Sequence, residues 1–63
     1  ARVDLKSDRA RGALRVVRAQ CEPWAEEALV VGPLRDEIRV LAGWLGLERV
    51  VVSPLRGFTR LLR

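Results

Sequence analysis

The residues of this sequence best equipped for chemistry are its cations. Lys6, Arg9, Arg11, Arg15 and Arg18 crowd into the first third of the chain. Arg56, Arg60 and Arg63 follow one another near its end at i, i+4 and i+7. Eleven of the twelve basic residues are Arg, and the formal net charge is +4. A guanidinium keeps its charge and presents a planar fork of donors that matches a phosphate. A turn carrying several such groups can lie along a phosphate backbone. The same turn reads equally as the solvated tip of a soluble hairpin, and Arg-for-Lys usage reads equally as a compositional bias. The second group reads first as the wet face of a helix, with charge favoured at the helix end.

Other chemistry is poorly provided for. His is absent and Cys21 is the single cysteine, which excludes an internal disulfide and a Cys/His zinc site. Nucleophilic catalysis needs an activated nucleophile and a base. Cys21 has no imidazole to serve it and lies on an apolar strand face, which points to a buried structural thiol. The carboxylates come as Asp4 and Asp8, Glu26 and Glu27, Asp36 and Glu37. Neighbouring acids on a helix diverge, and acids early in a helix answer its dipole, so no metal site is expected. Gly43 and Gly46 lie within and after a helix rather than between strand and helix, which excludes a phosphate-cradling loop. No catalytic residue, metal or cofactor is therefore assigned. Trp24, Trp44 and Phe58 could stack on bases. The helical spacing of Trp44 and Phe58 favours core packing for those two, and Trp24 stays open.

The elements that must position the cations can be read in order. Residues 2–6 alternate polar and apolar, placing Val3 and Leu5 on one face of a strand. Residues 7–12 are polar and end in Gly12, which suits a hairpin connection. Residues 13–21 form the return strand. Leu14 and Val16 share one face, then Val17, Ala19 and Cys21 the other, which implies a bulge or burial on both faces. A bulge between Arg15 and Arg18 is expected to turn them to opposite faces. Residues 23–32 are a connector that reads as a helical turn or as a loop. Pro33 suits a first helical position, followed by Asp36 and Glu37 in the first turn. Leu34, Ile38, Leu41, Ala42 and Leu45 make one apolar stripe, and Gly46 stands ready as the left-handed residue past the end. Residues 48–52 read as a Val-rich strand, and residues 55–63 as a closing helix with Leu55, Phe58 and Leu62 inward.

The expected architecture is α+β, a small β-β-α-β-α unit: hairpin 1–22, connector 23–32, helix 33–46, strand 48–52 and closing helix 55–63. A chain of 63 residues buries only ~60% of its unfolded surface, so a neighbouring surface is expected to help it. The first residue is Ala1 and a strand pattern starts at once, which reads as an excerpt of a longer chain. No uncharged run nears the ~20 apolar residues of a membrane span. A lone Cys and the lack of an export signal fit the cytoplasm.

The strings Val3-Asp4-Leu5-Lys6-Ser7-Asp8-Arg9 and Gly12-Ala13-Leu14-Arg15-Val16, then Glu22-Pro23, resemble the last part of the winged-helix crosslink-repair DNA glycosylases. The run Leu41-Ala42-Gly43-Trp44-Leu45-Gly46-Leu47 into Glu48-Arg49-Val50-Val51-Val52 is similar to that family's closing helix and strand. The resemblance covers nearly the whole chain, and its Asp-Leu-Lys-x-Asp-Arg string is the most specific piece. It implies tandem winged-helix modules followed by a β-rich, barrel-like C-terminal domain lining a cleft for double-stranded DNA. It implies excision of damaged or crosslinked bases by cleavage of the N-glycosidic bond, with a Gln-based catalytic motif in the preceding domains that no residue here matches. Lys6, Asp8 and Arg9 match that family's strand-end string; with the basic hairpin added to the resemblance, Lys6, Arg9, Arg11, Arg15 and Arg18 are the expected DNA-binding residues, and the expected partners are DNA and the preceding domains of the same chain.

Overall fold

The computed structural model describes residues 1–53 and 57–63. The elements are β1 (Arg2–Asp8), a 3-10 turn (Arg9–Arg11), β2 (Ala13–Gln20), α1 (Glu27–Trp44), β3 (Arg49–Val52) and α2 (Phe58–Leu61). The order is β-β-α-β-α, and the class is α+β. Leu55 and Arg56, expected in the closing helix, lie outside the described residues.

The polar stretch after Asp8 closes the hairpin. Gly12 takes φ 62°, a left-handed conformation that costs a residue without Cβ nothing. β1 and β2 pair antiparallel from Arg2↔Gln20 to Asp8↔Ala13, and the register shifts between Asp4 and Leu5. Their partners are Arg18 and Val16, so Val17 is the extra residue of a bulge on β2. Of the two explanations for the switching apolar pattern, the bulge is the one the chain uses. Its effect on side-chain direction is the reverse of the expected one. Arg15 pairs with Lys6 and Arg18 with Asp4, and Lys6 and Asp4 are two residues apart on one strand. The bulge therefore returns Arg15 and Arg18 to the same face. Without it, a spacing of three would have separated them.

β2 then crosses through α1 to β3, which runs parallel to β2 and pairs Ala13–Val16 with Arg49–Val52. A parallel neighbour needs such a crossover. The sheet order is β1-β2-β3. α1 starts at Glu27, six residues before the expected start, and carries Pro33 in its interior. Pro33 has no N–H for the Leu29 carbonyl. Both residues are exposed, so that carbonyl has water to bond. Gly32 removes the Cβ that would clash with the proline ring. Val30, Val31 and Leu34 pack on the core, and this burial holds the helix together across the break. At its other end the Leu47 N–H donates to the Ala42 carbonyl (2.8 Å) and the Gly46 N–H to the Gly43 carbonyl (3.1 Å). With Gly46 at φ 70°, this is the expected left-handed stop, and buried Leu47 packs back.

One core results, built on Leu14, Val16 and Ala19 of β2, Ile38 and Ala42 of α1, Leu47, Phe58 and Leu62. Cys21 is half-buried against it. Trp44 does not join it. It is 86% exposed, because α1 turns Ile38 and Ala42 inward and position 44 falls on the opposite side.

β3 covers only the first half of β2. Beyond it the β2 edge is closed by Thr59, which is 2% exposed. Its Oγ1 accepts from the Ala19 N–H (2.8 Å) and its hydroxyl donates to the Ala19 carbonyl (3.0 Å). Replacing Thr59 by Val keeps the shape and strands both buried backbone groups. A loss of about 2–4 kcal/mol in urea unfolding is expected, against about 1 kcal/mol for Thr59→Ser, which keeps the hydroxyl. Gly43→Ala should raise stability by about 0.5–1 kcal/mol in the same assay, since its Cβ meets nothing within 4 Å and α1 gains a better helix former.

Candidate nucleic-acid interface

Pairing partners fix the two faces of the sheet. Leu14, Val16 and Ala19 turn toward the helices and are buried, as their β1 partners Ser7, Leu5 and Val3 share that side. The other face carries Arg2, Asp4 and Lys6 of β1, Arg15, Arg18 and Gln20 of β2, and Arg49 and Val51 of β3. All of these are exposed. No described element covers this face.

Its cations are Arg2, Lys6, Arg15, Arg18 and Arg49, and its acids are Asp4 and half-buried Asp8. Lys6 stands directly opposite Arg15. Like charges in directly opposed positions destabilise a sheet. Asp4 faces Arg18 across the ladder. Among the described residues, no Asp or Glu oxygen lies within 4 Å of a Lys6, Arg15 or Arg18 nitrogen; the ion pairs are Arg11 with Asp8 (3.9 Å) and the Ala1 amino group with Glu22 (2.5 Å).

The five expected cations therefore separate. Lys6, Arg15 and Arg18 share the open face. Arg11 sits exposed on the 3-10 turn, beside Asp8. Arg9 is tied to the helix layer, with Nη1 donating to the Leu45 carbonyl (3.1 Å) just past the end of α1. There a cation meets the negative end of the helix dipole and an orphan acceptor. Arg35 does the same for α2, donating from Nη2 to the Leu61 carbonyl (2.6 Å) and from Nε to that of Leu62 (3.4 Å). Arg2 and Arg49 were missed by reading the hairpin tip alone. Strand parity marks Arg2 as a companion of Lys6, while Arg49 needs the β2–β3 register.

The strands of this face carry no aromatic residue. Phe58 is buried in the core, and Trp24, 84% exposed, lies in the segment between β2 and α1. Among the described residues, no group of acidic, His or Cys side chains is placed to hold a metal. No described helix is long and apolar enough to cross a membrane. In comparisons with known proteins, no family model, no curated protein and no solved structure matches this chain.

The division of labour among the arginines is testable. Arg9→Gln should lower stability by about 0.5 kcal/mol, as befits an exposed charged hydrogen bond. It should leave unchanged the salt dependence of any duplex DNA binding that fluorescence anisotropy detects across a salt series.

Proposed function

We propose that this chain is the non-catalytic, DNA-contacting portion of a DNA glycosylase that excises damaged or crosslinked bases, and that its open sheet face rests on the phosphates of double-stranded DNA. The observation that carries the reading is the uncovered face on which Lys6, Arg15 and Arg18 stand together with Arg2 and Arg49. Phosphate contacts need only cations on a surface of the right extent, and they fix position rather than sequence. A rigid sheet supplies that surface. The enzymatic part of the reading is supported by the family resemblance of the Asp-Leu-Lys-x-Asp-Arg string and of the closing helix and strand. Base excision then falls to preceding winged-helix domains, and this chain contributes a wall of the DNA cleft.

A different reading is favoured by Trp44, which is exposed together with Leu29 and Val40 on the outer side of α1. A protein-interaction module without nucleic-acid contact would use that side and leave the cations to solvent.

Binding of the 63-residue chain to a duplex oligonucleotide across a salt series separates the two. Changing Lys6, Arg15 and Arg18 together to Ala should reduce the slope of log K against log salt by about 2–3, near 0.9 for each phosphate that is no longer neutralised. An unchanged slope, or no binding at low salt, would remove the DNA reading. The triple variant is expected to fold at least as well as its parent, because it relieves the Lys6–Arg15 opposition.

A further inference from the structure

Among the described residues, nothing pairs with the outer edge of β3, which is a second surface of the sheet beside the cationic face. β3 is an edge strand. The Arg49 and Ser53 N–H groups donate toward β2, to the carbonyls of Gly12 (3.1 Å) and Val16 (2.9 Å). Alternation along a parallel ladder then directs the N–H and C=O of Val50 and Val52 away from β2, to the open edge. A groove of about 830 Å³ runs along this edge, with consecutive residues 48–52 forming one wall. Lining by both parities of a strand means that its backbone is the wall. The opposite wall is the face of α1 bearing Arg35, Ile38, Arg39 and Ala42, at i, i+3, i+4 and i+7.

We propose that this groove docks an extended, acidic-apolar segment of another protein, which adds to β3 as a fourth strand. Three features choose that occupant. The backbone edge offers hydrogen bonds that only another extended chain returns in series. Ile38, Ala42 and Val52 supply an apolar floor for alternate side chains. Arg39 and Arg63 give the groove a positive rim, while Glu48 folds back over the hairpin and lies 3.7 Å from where a Gly12 Cβ would be. A second copy of this chain would bring its own Arg39 and Arg63 against these, so like charges disfavour self-pairing. Nucleic acid would have to bury phosphates over an apolar floor.

The test uses the 63-residue chain and a fluorescein-labelled octapeptide alternating Val with Glu or Asp, read by anisotropy. The acidic peptide should bind, and its Lys-for-acid counterpart should bind at least about tenfold more weakly, as reversal of an interfacial charge pattern implies. Methylating the backbone nitrogen of every second peptide residue should abolish binding in one phase and be tolerated in the other, because only one set of amides faces β3. Val50→Pro removes an outward N–H and should weaken binding at least about tenfold while the bonds to β2 remain. The methylated peptides keep the test decisive if that variant unfolds. Absence of binding, equal binding of the two charge patterns, or equal tolerance of both methylation phases would overturn the proposal.

Discussion

The Thr59 hydroxyl is the contact on which the rest of the fold leans. β2 is the central strand, yet β3 accompanies only its first half. Past Val16 the β2 edge would present a buried N–H and C=O with no partner, a costly arrangement in an interior of low polarity. Thr59 bonds both groups of Ala19 with one oxygen and so replaces a strand residue. A helix of four residues has no stability of its own. α2 exists because this bond fixes its start, Phe58 and Leu62 bury beside it, and Arg35 satisfies the carbonyls at its end. Arg35 comes from α1, so the same few atoms join β2, α2 and α1. A chain this short has little other core with which to hold these layers in place.

Arginine performs two opposed tasks here. Arg9 and Arg35 are spent on helix C-terminal carbonyls, where their charge is offset locally and their geometry is fixed. Arg15 and Arg18 stand on a face with few acids, where their charge adds to a common potential. Composition counts all of them alike. What separates them is whether a helix end falls within reach of the side chain, and that depends on tertiary placement.

The pattern of the sequence carried the architecture well where local chemistry dictates it. Gly12 and Gly46 take the left-handed turns expected of them, the Val-rich segment is a strand, and the apolar stripe through Ile38 and Ala42 faces the core. It failed at Pro33, because a proline is locally a start signal and only the packing of Val30 and Val31 extends the helix before it. It failed at Trp44, whose size suggests burial but whose angular position on α1 forbids it. Thr59 and Arg35 were not legible, since each acts on backbone groups distant in sequence. Of the cationic face, parity along β1 was readable. The bulge was readable as one of two explanations, but its consequence was not: one inserted residue reverses parity, so Arg15 and Arg18 come together only once the register with Asp4 and Lys6 is known.

That bulge links the fold to the proposed use of its open face. A regular β2 would have to send either Ala19 or Val16 to solvent, since the two are three residues apart. The core needs both. The inserted Val17 resolves this conflict, and the same shift brings Arg18 onto the side of Arg15, opposite Asp4. Burial on one face thus dictates charge on the other. Asp4 can offset Arg18 across the ladder, but Lys6 against Arg15 has no such compensation and weakens the hairpin. A sheet face selected for stability alone would carry an acid at one of those two positions. An anionic partner laid over the face would turn this repulsion into binding energy, whereas the Arg-rimmed edge of β3 needs a partner with a peptide backbone as well as negative charge. The two surfaces share a sign and differ in what else they offer, and that difference would keep the two proposed partners distinct.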